Sequence, residues 1–136
     1  MERANDLLID AEDFFGAAND LFATSRWSKV CFNCQQAVEL ALKAILNYLG
    51  FERRGHGLSI LLDKVCEHRE EFEQFRDAVK ILDQYYIPTR YANAFYSGPA
   101  MKHYTKTQAQ EAIKYSEDIL KLVRQIVAEG ETETGS

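Results

Sequence analysis

Two consecutive stretches of the chain carry apolar residues at steps of three and four, and this spacing constrains the fold more than any other feature. The first holds Ala4, Leu7, Leu8, Ala11, Phe14, Phe15, Ala18, Leu21 and Phe22; the second holds Trp27, Val30, Cys31, Cys34, Ala37, Val38, Ala41, Leu42, Ile45 and Leu46. Because an α-helix turns every 3.6 residues, such positions fall on one face. The spacing predicts a helix over about 3–23. Thr24-Ser25 then breaks it and supplies the N-cap of the next. The second helix is predicted over about 26–49, ended by Gly50. So short a link folds the two back on each other as a long antiparallel hairpin.

The remainder continues in the same period. After a glycine- and charge-rich loop over 50–57 comes a shorter helix with Leu58, Leu61, Leu62 and Val65 inward, then one over about 70–85 with Phe72, Phe75, Val79 and Leu82. Pro88 stops it and pushes Ile87 toward extended backbone. Thr105 with Gln108, or Thr107 with Gln110, offers a capping box for a last helix. That helix carries Ala109, Ala112, Ile113, Ser116, Ile119, Leu120, Val123, Ile126 and Val127, with Gly130 expected to close it. No segment alternates with period two. The expected architecture is all-α: an up-and-down bundle of about five helices over 1–130, followed by a disordered polar tail over 131–136. A length of 136 residues suits one core.

Composition narrows the function classes. A net charge of -5 and a pI near 5.2 argue against a protein that coats nucleic acid by overall charge, while leaving room for a local basic groove. No apolar run approaches the roughly 20 residues that cross a bilayer, and no signal-peptide pattern opens the chain, so a cytoplasmic location without membrane attachment is expected. Cys31, Cys34 and Cys66 are then reduced thiols. Cys31 and Cys34 have C-x-x-C spacing, but both fall on the apolar stripe of a helix and no second such pair follows, so they are expected to pack as small hydrophobes. His68, His103 and Cys66 show no metal-ligand spacing, and neither a metal nor a cofactor is expected.

One stretch stands apart. Tyr85 to Gly98, "YYIPTRYANAFYSG", sets Tyr85, Tyr86, Tyr91, Phe95 and Tyr96 around Pro88 and Arg90. A guanidinium in such a corner is suited to bidentate phosphate binding, with aromatic faces to stack a base. The alternative is that the aromatics fill the core and Arg90 ties down loop carbonyls or a carboxylate such as Asp83. On the second helix, Gln35, Glu39 and Lys43 recur every four residues just outside the apolar stripe. They form either a salt-bridged ridge, worth about 0.2–0.5 kcal/mol for an exposed pair, or the polar wall of a cleft. His56, between two glycines, is expected to cap the third helix or line that cleft, and Arg53-Arg54 is a small basic patch in the preceding loop.

In sequence order, "RWSKVCFNCQQAVELALKAILNYLG", "GHGLSILLDKV", "LDQYYIPTRYANAFYSG" and "YTKTQAQEAIKYSEDILKLV" resemble a HEPN domain over nearly the whole chain. The resemblance implies a homodimeric helical bundle. It also implies pairing with a minimal nucleotidyltransferase protein in toxin–antitoxin modules. Many members cleave RNA without a metal, using an arginine followed four to six residues later by a histidine, the two copies meeting across the dimer. Arg90 occupies the arginine position here, but alanine, Phe95 and Tyr96 stand where the histidine belongs, and the nearest downstream histidine is His103. A phenylalanine exchanges no proton, and a tyrosine with a pKa near 10 is a poor base at neutral pH. The resemblance therefore implies Arg90, Tyr91, Asn93, Tyr86 and Lys43 as ligand-binding residues for a nucleotide or RNA. Arg90 and His103 are the only catalytic candidates. A binding module, a metal-independent RNase with an atypical motif and a purely structural dimer remain the three alternatives.

Overall fold

The computed structural model describes residues 2–52, 55, 57–86 and 103–135, with residues 2 and 131–135 as backbone alone. The first two helices are α1 (Glu2–Ala23) and α2 (Trp27–Tyr48), followed by α3 (Leu58–Cys66). A 3-10 segment (Glu70–Phe75) then leads into α4 (Arg76–Asp83), and the chain ends in α5 (Lys106–Gly135). Among the described residues there is no strand. The up-and-down helical bundle with its long antiparallel α1–α2 hairpin is as the periodicity requires. α2 is the axis of the molecule: it packs most extensively on α1 and next on α5, while α3 and α4 lie against its remaining side. Both of its faces are therefore covered, and Val30, Cys31, Cys34, Ala37, Val38, Leu42, Ile45 and Leu46 are fully buried.

The hairpin turn is built differently from the expectation. Ser25 does not cap α2; it has φ +60 and closes α1. The Ser25 N–H donates to the Phe22 carbonyl (3.1 Å) and the Arg26 N–H to the Leu21 carbonyl (3.1 Å), the paired bonds of a Schellman motif. Arg26 stands at the N-cap of α2 and makes no side-chain cap bond. Trp27 then packs on Phe22 across the turn at 5.0 Å between ring centroids. At the other end of α2 the same motif recurs with the expected glycine. Gly50 has φ +97, its N–H donates to the Asn47 carbonyl (3.0 Å), and the Phe51 N–H donates to the Leu46 carbonyl (2.8 Å).

Two further departures concern the later helices. The stretch expected as one helix from about residue 70 begins as a 3-10 segment. Its three-residue period puts Phe72 and Phe75 on the same side. Both are buried, their rings edge to face at 5.8 Å. α5 begins as expected: the Gln108 N–H donates to Thr105 Oγ1 (3.1 Å) and the Thr105 N–H to Gln108 Oε1 (2.9 Å), a reciprocal capping box. It does not stop at Gly130, however, but runs on to Gly135 through the segment expected as a tail. Gly130 is buried, and a Cβ there would overlap the phenol of Tyr48. The glycine is a point of close approach between α5 and the end of α2, not a terminator.

Candidate functional site

The polar positions of α2 are more enclosed than a surface ridge. Gln35 is fully buried, and the Glu39 and Lys43 side chains are 5% and 17% exposed. Lys43 Nζ donates to Glu39 Oε2 at 3.0 Å, one helical turn away. The few tenths of a kcal/mol that suit an exposed helix pair do not describe this one. Its partners have lost most of their hydration, so removal of Glu39 would leave the Lys43 ammonium without this carboxylate. Gln36 Nε2 donates to Gln35 Oε1 (2.7 Å), while Gln35 Nε2 is buried without a hydrogen-bond partner among the described residues. An unmet buried amide carries a cost of about 1–3 kcal/mol.

Tyr86 reaches the N-terminal end of this row. It is half-buried and stacks on Phe32, with centroids 6.5 Å apart and rings inclined by 27°. Phe32 lies one turn before Gln35 and Gln36. From Phe32 to Lys43 is eleven residues, or about 16 Å along a helix axis. Tyr86 and Lys43 therefore mark opposite ends of the row.

The chain leaves α4 and enters α5 at one place. Tyr85 and Tyr104, both buried, have ring centroids 5.6 Å apart. Burial pushes both phenols well above the ordinary tyrosine range. His103, half-buried, immediately precedes Tyr104. Arg90, Tyr91 and Asn93 lie outside the described residues, as do Arg53, Arg54 and His56.

Asp83 has a role that local reading misses. Its carboxylate accepts the backbone N–H groups of Leu58 (3.0 Å) and Ser59 (3.5 Å), capping α3 from 25 residues away in sequence. α3 begins at Gly57-Leu58 with no side-chain cap of its own. That missing local cap was the one available hint of a distant one. The carboxylate weighed as a partner for Arg90 is thus engaged with a helix end, three residues before Tyr86.

The cysteines behave as core residues. Cys31 and Cys34 are fully buried, and burial raises each thiol from its ordinary 9.0 to about 12, so neither is a thiolate nucleophile at neutral pH. Among the described residues no group of three or more His, Cys, Asp or Glu side chains is arranged to hold a metal ion.

A model of the HEPN domain family matches residues 4–126. The chain belongs to the HEPN family. A protein of Methanocaldococcus jannaschii named "Putative toxin MJ1304" is 23% identical over 128 residues, spanning 88% of this chain and 84% of that protein. Among solved structures, TT1696 from Thermus thermophilus is 38% identical with a TM-score of 0.87, covering 92% of this HEPN chain and 98% of its own. ST0689, described as an archaeal HEPN homologue, is 29% identical with a TM-score of 0.78, covering 93% and 99% of the two chains. A HEPN domain protein of Thermotoga maritima, at 20% identity and a TM-score of 0.73, shares the fold. As in the sequence, no described helix of this HEPN protein is long and apolar enough to cross a membrane.

Proposed function

We propose that this HEPN protein is the RNA- or nucleotide-binding member of a toxin–antitoxin-type module, acting as a homodimer and held in check by a minimal nucleotidyltransferase. The observation that carries the reading is the enclosed Glu39–Lys43 pair in line with the unmet amide of Gln35 and with Tyr86 stacked on Phe32. A helix that serves only as a core has no use for so much buried polarity. The toxin name of the M. jannaschii relative supports the module. Arg90, Tyr91 and Asn93 complete the ligand set, with Arg90 taking a phosphate through its planar fork. The length of the row, about 16 Å, favours a strand over a mononucleotide.

A second reading, RNA cleavage by Arg90 with His103, is favoured by the Tyr85–Tyr104 contact, which brings the two ends of the intervening segment together. Labelled RNA incubated with the purified protein in EDTA separates the two. Binding without cleavage, weakened about tenfold or more by Arg90→Ala, is the expected result. Metal-independent cleavage lost in both Arg90→Ala and His103→Ala would establish the RNase instead. RNA that is neither bound nor cut at high protein concentration would refute both.

A further inference from the structure

Gln35 carries more chemical information than the rest of the α2 row. It is fully buried, and its Oε1 accepts a hydrogen bond from Gln36 Nε2 at 2.7 Å. Its own Nε2, also buried, has no hydrogen-bond partner among the described residues. The bond to Gln36 shows which end of the amide is engaged: the oxygen is held, and the N–H groups are free to donate. Buried donors are normally satisfied, so an amide held in this way is a donor without its acceptor. Gln36 is itself only half-buried, which places the free amide one side chain below the surface.

An aromatic platform stands beside it. Phe32 precedes Gln35 by three residues, so the two are neighbours on α2, about 4.5 Å apart along the helix axis. Tyr86 is stacked on Phe32, and both rings are half-buried. Aromatic faces that hold a base by stacking, with a polar side chain at the base edge, are the usual means of recognising unpaired nucleotides.

We infer that Gln35 is the base-reading residue of this row and selects a base with a keto oxygen, uracil or guanine, over one with an amino group, cytosine or adenine. The base stacks on the Tyr86–Phe32 pair, and its keto oxygen accepts from Gln35 Nε2. An exocyclic amino group in the same place sets donor against donor and leaves the amide unmet. The inference rests on the reading of this row as a nucleotide or RNA site and adds the class of base.

Uracil and cytosine share a ring and differ at one edge in a keto or an amino group. Binding of oligouridylate and of oligocytidylate to the full chain is therefore the test. Oligouridylate is expected to bind about tenfold tighter, the scale of one buried hydrogen bond made rather than lost. It should also shift the side-chain amide resonance of Gln35. UTP against CTP, run in parallel, separates the sources: a preference shown by the mononucleotides identifies a free nucleotide, and one confined to the oligonucleotides identifies a strand. Gln35→Met keeps most of the bulk and removes the amide. It is expected to bind the two oligonucleotides equally, with a melting temperature no lower than the parent's because an unmet donor has gone. Equal binding of both oligonucleotides by the parent, or a preference for cytidylate, overturns the inference while leaving RNA binding in place. A uridylate preference that survives in Gln35→Met removes Gln35 from base reading. RNA that does not bind at all removes the underlying reading, and this one with it.

Discussion

Ser25 and the two buried cysteines show how single residues set local energetics here. An L-residue in the left-handed region is disfavoured by about 1–2 kcal/mol, and Ser25 occupies it at φ +60 where α2 has Gly50 at the equivalent position. Ser25→Gly removes that cost and adds back part of it through the larger freedom of glycine in the unfolded chain. A net gain of up to about 1 kcal/mol is expected in chemical denaturation, and a loss would show that the serine hydroxyl matters more than the backbone. For Cys31 and Cys34 the folded thiols titrate near 12 against an ordinary 9.0. Below pH 9 both states hold neutral thiols and stability is indifferent to them. Between about 9 and 12 the unfolded chain ionises while the folded one does not, so stability should fall as pH rises through that window. Burial of Tyr85 and Tyr104 acts in the same direction. A thiol reagent at pH 8 should modify half-exposed Cys66 in the native protein and reach the other two only on unfolding. Prompt reaction of all three would show that the α2 core opens locally.

At the scale of elements, the short helices depend on one another more than on their own sequences. α3 has four buried residues, Leu58, Leu61, Leu62 and Val65, but nine residues are too few for a helix to persist alone in water. Asp83 supplies the cap that α3 lacks and at the same time fixes the end of α4. Asp83→Ala should therefore cost about 1–2 kcal/mol, the upper part of the usual range for losing a cap. The amides at 58 and 59 should gain hydrogen-exchange rate well before those of α2. Equal protection in variant and parent would mean that packing alone holds α3. Arg76, at the opposite end of α4 from Asp83, ties that helix to its neighbours, bonded to Asp63 of α3 and to Glu73 (2.7 Å) of the 3-10 segment. The pairing holds the Glu73 carboxyl below the usual carboxylate range.

For the whole molecule, α2 is both the core of the bundle and the carrier of its polar row, so stability and function are superimposed on one helix. Glu39→Ala leaves the Lys43 ammonium largely buried without its carboxylate, and a loss of about 3–5 kcal/mol is expected. Replacing both partners by apolar residues of similar size should restore most of that loss while abolishing RNA binding. Restored stability with undiminished binding would remove the row from the proposed function. Sedimentation of the parent should give twice the 15.6 kDa chain mass if the proposed homodimer forms, and a monomer at micromolar concentration would exclude a cleft shared between two copies.

What the sequence determined by itself lies within reach of one or two helical turns. The three-four spacing placed α1 and α2, Gly50 ended α2, Thr105 and Gln108 began α5, and the apolar stripe put Cys31 and Cys34 inside. The motif residues around Arg90 pointed to the family in the same local way, by order and identity. What only the tertiary structure decided depends on which elements meet. Ser25 reads equally as the end of one helix or the start of the next until the turn's hydrogen bonds are seen. Gly130 looks like a stop until Tyr48 is found against it. Asp83 caps a helix that ends up beside it only after folding, and Glu39 and Lys43 look like a solvated pair until their surroundings enclose them. Burial and long-range capping are properties of surfaces brought together from distant parts of the chain, and periodicity along a single helix carries no record of its neighbours.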